Sequence, residues 1–207
     1  MLIGLIGEKR VGKDTVANLI KEFDNEYKCM ALADPIKDVA RIMFNFSEKQ
    51  LYEAEKDVID AKWNIKPRDF FEQFGTDIMQ FDIYKYLPAL ESIVPQRKFW
   101  VMSLLSKIKE NDKIIITDIR GQHELEEILK FNPNAIFIRI IRPLYSNSTC
   151  NSTSQSTNTM HITQLEPNQI RDEFITKTII NNVSIDELRG KVKNIFDAII
   201  LSPKNIK

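Results

Sequence analysis

Apolar residues in this chain follow two alternating rhythms, short unbroken runs and runs spaced three and four apart. The first kind reads as buried strand and the second as amphipathic helix. Leu2–Ile6 is an unbroken run, and Val16, Leu19, Ile20 and Phe23 follow at helical spacing after a glycine turn. The segment KCMALADP repeats the buried-strand look and stops at Asp34-Pro35, a turn and helix start. A helix over residues 36–46 follows, with Val39, Ile42, Met43 and Phe46 expected on one face. Residues 47–106 read as mostly helical. KPRDFFEQFGTDIM opens with a proline suited to a first turn, and RKFWVMSLLSKIKE carries Trp100, Leu104, Leu105 and Ile108 at amphipathic spacing. KIIITDIRG is a β-branched strand, residues 123–131 a helix, and AIFIRIIRP another strand. Residues 146–159 contain only Ser, Thr, Asn, Gln and Cys and predict a flexible loop. A helix over 168–175, a strand at KTIIN and a closing helix over 185–200 complete the pattern.

Strands that alternate with helices in this way predict an α/β fold: a parallel five-stranded sheet with helices on both faces. We find no repeat and no second core, so one domain is expected over residues 1–207, with a helical insertion at about 36–110 and a lid at about 143–165. Composition changes little in this picture. The apolar share is 43% and the charged share 28%, ordinary for a soluble globular protein. Twenty-nine acidic and 29 basic residues give a net charge of zero, which argues against a general nucleic-acid or membrane-surface binder. Cys29 and Cys150 offer no disulfide framework, and with only His123 and His161 a metal cluster is not expected. The apolar stretch ending at Ile6 is too short for a signal-peptide core, so a cytoplasmic protein is expected.

Chemistry enters at Gly7-x-x-x-x-Gly12-Lys13, placed between the first strand and the first helix, the context a phosphate-binding loop requires. The glycines let the backbone turn so that its N–H groups aim at phosphate oxygens. Lys13 is placed to bridge the β- and γ-phosphates, at the positive end of the helix beginning there. The residue after the lysine is Asp14, where a hydroxyl for Mg²⁺ usually stands; the hydroxyl comes one residue later, at Thr15. Nucleoside monophosphate kinases often shift it in the same way. Asp14 itself either holds Mg²⁺ through water or caps the helix.

In an open parallel sheet, ligands gather beyond the carboxyl ends of the strands. The second strand ends at Asp34, the third offers Asp118 and Arg120, and the fourth offers Arg139 and Arg142. A carboxylate at Asp118 could hold Mg²⁺ or orient the attacking group, or cap the following helix. Arg120 suits an anionic substrate. Arg139 lies inside IFIRIIRP, where a charge needs a partner, either a phosphate or a structural carboxylate. Arg142-Pro143 leads into the polar tract as a hinge would. Arg68, Gln73, Gly75 and Thr76 suit a second ligand, whereas Phe70, Phe71, Phe74 and Trp100 read as core first.

These segments together resemble one family, the deoxynucleoside monophosphate kinases of bacteriophages and large DNA viruses. The similarity runs through GEKRVGKDTVA, ALADPIK, KPRDFFEQFGTD, FWVMSLLSKI, IIITDIRGQHELEEI, FIRIIRP and IINNVSIDEL. The resemblance implies a P-loop kinase fold and transfer of the ATP γ-phosphate to a deoxynucleoside monophosphate, with Mg²⁺. It implies Gly7, Arg10, Gly12, Lys13, Asp14, Thr15 and Asn181 on the ATP side, Asn181 near the base. Asp34, Lys37, Arg68, Gln73, Gly75, Thr76, Arg120 and Glu124 fall on the monophosphate side. Asp14, Thr15 and Asp118 are its metal candidates, and Lys13, Asp118, Arg120, Arg139 and Arg142 its catalytic ones. The chain departs from the pattern at Met79-Gln80, where the family often has an arginine. It also has no arginine between Arg142 and Arg171, which leaves Arg10, Arg139, Arg142 or Arg171 as the lid arginine. Expected partners are a deoxynucleoside monophosphate and, as one option, a second copy of the chain, with neither nucleic acid nor membrane. The competing readings are another small-molecule P-loop kinase, similar to dephospho-coenzyme A or phosphomevalonate kinase, and a nucleotide-binding switch without transfer activity.

Overall fold

The structure is a computed structural model that describes residues 1–143 and 169–201. Its centre is a five-stranded sheet of β1 (Leu2–Ile6), β2 (Tyr27–Met30), β3 (Lys113–Ile119), β4 (Ile136–Ile141) and β5 (Lys177–Ile180), in the order β2-β3-β1-β4-β5. β1 runs parallel to β3 and to β4, and β4 runs parallel to β5. All five β1 residues are buried, as the unbroken apolar run requires of a central strand covered on both faces. The helices are α1 (Lys13–Phe23), α2 (Asp34–Phe44), α3 (Glu48–Tyr52), α4 (Pro67–Glu72), α5 (Ile83–Tyr86), α6 (Pro88–Glu91), α7 (Phe99–Leu105), α8 (Gln122–Phe131) and α9 (Ile185–Leu201). This is the P-loop kinase architecture that the alternation of elements predicts: a parallel sheet flanked by helices, with a helical insertion.

The described chain divides into two compact units. The first holds residues 1–29, 111–122 and the described residues from 132 onward; the second holds 30–110 and 123–131. In the first unit one face of the sheet packs Ile3, Leu5, Ile115, Ile138, Ile140 and Ile179 against α1 and α9. The α9 contacts, Leu188, Val192, Phe196 and Ile199, fall at the four- and three-residue spacing of one helix face. On the other face Gly4 leaves room that is already filled. A Cβ there would lie 2.4 Å from Ile119 Cδ1 and 2.7 Å from Phe137 Cδ1, so this glycine serves packing alone.

The second unit has its own core of Ala40, Phe46 and Leu51, with Phe44, Ile65, Phe70 and Phe71 against it. Phe70, partly buried, stacks on Phe74 at 4.9 Å, and Trp100 is buried. α4 continues through a π-helix over Gln73–Asp82 into α5, one unbroken helical rod from 67 to 86.

Three expectations about elements change. The inner face of α2 is Ile36 and Ala40, while Ile42 is 83% exposed. The helix ends at Phe44 because Asn45 takes the left-handed conformation at its C-cap, so Phe46 lies beyond the helix and reaches the core beside Ala40 from the following segment. β2 is shorter than KCMAL suggests and buries only Tyr27, as an edge strand can. The helix expected over 168–175 is, in its described part, 3-10 structure at Gln169 and a 3-10 turn at Asp172–Phe174. The lid expected over 143–165 lies outside the described residues apart from Pro143, as do Cys150, His161 and Asn168. Among the described residues no helix is long and apolar enough to cross a membrane.

Candidate active site

The loop from Gly7 to Gly12 leaves the carboxyl end of β1 and delivers the chain into α1. Gly7 has φ 151° and Gly12 φ 103°, and Arg10 between them is also left-handed at φ 66°. Two of these three positions are thus glycine where L-residues are disfavoured, and the third holds a non-glycine in a strained region. Backbone packing adds a second reason. A Cβ on Gly7 would lie 2.5 Å from the carbonyl oxygen of Ile140 in β4, and one on Gly12 would lie 2.4 Å from Nδ2 of Asn181. The loop therefore rests on the tips of β4 and β5.

No side chain caps the N-terminus of α1, so its first N–H groups remain available to an anion. Lys13 Nζ donates to the carbonyl oxygens of Gly7 at 2.8 Å and Glu8 at 2.7 Å, folding the ammonium over the loop. Burial, with Arg120 beside it, pushes Lys13 below the usual lysine range, while Asp14, Asp118 and Glu8 draw it back up. That balance describes a half-desolvated cation with a second cation nearby, a place where an added polyanion is stabilised. It also places Asp14, Asp118 and Arg120 within charge reach of Lys13, so the structure brings these four predicted residues together. Asp14 is exposed in the first turn of α1 and Thr15 follows half-buried.

Mg²⁺ is usually held by one or two carboxylates together with substrate phosphates and water. Asp14 and Asp118 supply carboxylates and Thr15 a hydroxyl in one neighbourhood, a donor set that fits this ion. Among the described residues no group of three or more His, Cys, Asp or Glu could hold a metal by itself.

Arg139 has partners within the protein. Its guanidinium pairs with Asp172 and donates to the carbonyl of Ile170 at 2.5 Å, and Nε is buried with no hydrogen-bond partner. The charge inside β4 is thus met by the segment leading into β5. Arg142 is exposed at the border of the described residues. Asn181, expected beside the base, is 9% exposed, and its Nδ2 donates to Val11 O at 2.8 Å.

In the second unit, Asp34 begins α2 and accepts from the backbone N–H of Ala31 at 3.0 Å, with Lys37 at 3.7 Å. Lys37 also lies over the Tyr52 ring. Arg68, half-buried near the start of α4, makes a two-pronged pair with Asp57 and has Glu72 at 4.0 Å. Gln73 is exposed, whereas Gly75 and Thr76 are buried. The Gly75 carbonyl accepts from Trp100 Nε1 at 2.6 Å and from Gln80 Nε2 at 3.4 Å. Ile36 packs where a Gly75 Cβ would be. Glu124 lies 4.0 Å from His123 Nε2, which is buried without a hydrogen-bond partner. Burial, then Arg97 and Lys98, push the His123 imidazole down to about 4, against a small opposing pull from Glu126.

Two residues of this unit carry no motif that would have exposed them. Gln80 is buried inside the π-helix, and its carbonyl accepts from the backbone N–H of Arg97 at 3.2 Å. Arg97 is held left-handed at φ 69°, and its charge reaches His123. Only the basic pair Arg97-Lys98 before the tryptophan helix hinted at it.

The strand order, the phosphate loop after β1 and the helical insertion make up a P-loop kinase fold. A family model for deoxynucleotide monophosphate kinase matches residues 1–64, from β1 through α3, and not the remainder. No curated protein matches the chain. Among solved structures, shikimate kinase from Aquifex aeolicus is similar over 97% of this chain and 99% of its own, at 12% identity and a TM-score of 0.47. A Thermus thermophilus protein is similar over 96% and 97%, at 17% identity and a TM-score of 0.43. At such identities and scores these two carry no argument about substrate.

Proposed function

We propose that the protein transfers the γ-phosphoryl group of ATP to a deoxynucleoside monophosphate, yielding ADP and a deoxynucleoside diphosphate. The observation that carries this reading is the family match over residues 1–64, which spans the phosphate loop and the Asp34–Lys37 segment. The first unit is the nucleotide side. Lys13 leaves the Gly7 and Glu8 carbonyls for β- and γ-phosphate oxygens, joined by the N–H groups of the loop and of α1. Arg120 neutralises charge on the transferred group. Asp14, Thr15 and Asp118 would hold Mg²⁺, directly or through water, and the ion would neutralise phosphate oxygens.

The helical region, residues 36–110, binds the acceptor. Arg68 exchanges the Asp57 carboxylate for the acceptor phosphate, and Arg97 supplies the cation missing at Met79-Gln80. Thr76 and Gln73 contribute a hydroxyl and an amide. The bond between the γ-phosphorus and the β–γ bridging oxygen breaks as one forms to an acceptor phosphate oxygen. There is no covalent intermediate, since positioning and charge neutralisation supply the catalysis.

A second reading is a small-molecule P-loop kinase with a different acceptor. It is favoured by the internal engagement of Asp34 with its own turn and of Arg68 with Asp57, which leaves the acceptor chemistry less marked. An ADP-release assay with Mg-ATP and each deoxy- and ribonucleoside monophosphate, alongside shikimate, dephospho-coenzyme A and phosphomevalonate, decides between them. Turnover with a deoxynucleoside monophosphate supports the first reading, and turnover with only one of the other acceptors replaces it. No ADP release with any acceptor, from protein that binds ATP, points to a switch.

A further inference from the structure

We propose that Asn181 is a positioning residue of the phosphate loop, its carboxamide setting the Val11–Gly12 peptide so that the Gly12 N–H faces bound phosphate. The inference rests on the reading of that loop as an ATP site. Four observations carry it.

First, Nδ2 of Asn181 donates to Val11 O at 2.8 Å, a contact between residues 170 apart in sequence. Second, the donor is launched from a fixed point. The Asn181 backbone N–H donates to Ile141 O at 2.7 Å, extending the β4–β5 ladder by one rung. The preceding carbonyl, of Ile180, accepts from Lys191 of α9 at 3.0 Å. Third, the two groups fit without spare room, since a Cβ on Gly12 would come 2.4 Å from the same Nδ2. Fourth, Asn181 is one of three buried polar residues among those described, so its amide has little water to turn to.

The geometry of the peptide unit turns this contact into function. Val11 C=O and Gly12 N–H lie in one plane and point in opposite directions across a trans bond. Fixing the carbonyl toward Asn181 therefore fixes the N–H away from it. A neutral donor is the chemistry this task needs. A lysine or arginine in its place would compete for the phosphate, and an aspartate would repel both the carbonyl and the incoming anion. The amide thus takes no part in recognising a base and acts through the loop.

The test compares two ligands, Mg-ATP and inorganic tripolyphosphate, by calorimetry on wild type and Asn181→Ala, with melting temperatures measured alongside. Positioning of the loop predicts that both affinities fall by the same factor, about tenfold or more, the worth of a lost buried hydrogen bond. Asn181→Ser, which keeps a small hydroxyl donor, should fall less, and it carries the comparison if the alanine variant does not fold. Removing the amide should also relieve Gly12→Ala, so that the double variant binds no more weakly than Gly12→Ala alone. A loss confined to ATP, with tripolyphosphate unchanged, would make Asn181 a base contact and overturn the inference. Unchanged affinity for both ligands, or simple addition of the two losses, overturns it equally. Wild type that binds neither ligand removes the ATP reading itself, and the inference with it.

Discussion

Replacing Gly7 by alanine is a test in which steric magnitudes decide the outcome. At φ 151° an L-residue sits in a region nearly reserved for glycine, which costs about 1–3 kcal/mol. The new Cβ would also meet the Ile140 carbonyl oxygen at 2.5 Å and Val11 Cγ2 at 3.0 Å. Ile140 is paired with Ile179 in the β4–β5 ladder, so its carbonyl cannot retreat without breaking sheet register. Overpacking of this kind adds about 1–3 kcal/mol, for a sum of about 4 kcal/mol. A change of that size lowers the melting temperature of a chain this long by roughly 8–16 °C.

Gly75→Ala is the matched control. Its Cβ would lie 2.6 Å from Ile36 Cδ1, the movable end of a side chain, and no left-handed φ is involved. Alanine recovers about 1 kcal/mol of helix propensity there, so the net cost should stay within about 2 kcal/mol. Far-UV circular dichroism is the suitable probe, because both tryptophans, Trp63 and Trp100, lie in the second unit and report on the other half of the molecule. If Gly7→Ala melts within about 2 °C of wild type, or above Gly75→Ala, the seating of the loop on β4 is wrong.

Lys13→Ala should lower turnover by about three orders of magnitude or more while the melting temperature stays near wild type, because its hydrogen bonds go to loop carbonyls, one part-buried at Gly7 and one exposed at Glu8. Near-normal ADP release would end its assigned role. His123 titrates at about 4 folded and about 6.5 unfolded, so the unfolded chain binds the extra proton. Stability from this group is complete above about pH 6.5 and is lost towards about pH 4, by about 2 kcal/mol after allowance for partial exposure. Arg97, Lys98, Glu124 and Glu126 face the ring. His123→Gln should flatten urea midpoints across that window, and an unchanged slope would show that the imidazole is not held neutral. Asp172→Asn should cost less than about 1 kcal/mol, since Asp172 is 88% exposed in its pair with Arg139. A loss of several kcal/mol in its denaturation midpoint would mean that the Arg139 charge depends on Asp172 alone.

Legibility in the sequence followed how local each cause is. The β1–loop–α1 unit could be read because its glycines, its lysine and the change of period fall within about one turn of helix, strand and loop each. The two faces of α2 could not, because one left-handed residue, Asn45, ends the helix and removes Phe46 from the periodic pattern. The π-helix at Gln73–Asp82 leaves no mark in an apolar pattern that α-helix explains as well. Among site residues, the grouping of Asp14, Asp118 and Arg120 around Lys13 followed from strand ends facing one edge of the sheet. Arg139 was ambiguous because its partner, Asp172, lies 33 residues away in a segment with no strong period. Asn181 was assigned by position in a resemblance, and only the packing of its amide under Gly12 shows what it touches.

The wall behind the loop has a consequence for the order of folding. Residues 1–64 contain every letter of the phosphate motif, yet neither the Ile140 carbonyl nor the Asn181 amide that Gly7 and Gly12 fit against. A nascent chain or fragment of that length holds the motif as sequence and not as shape. The loop reaches its final curvature only after β4 and β5 have joined the sheet, contacts of long sequence separation that form late. Competence to grip phosphate is therefore acquired near the end of folding, and a chain cut before β5 should be unable to bind however faithfully its first turn and helix are made.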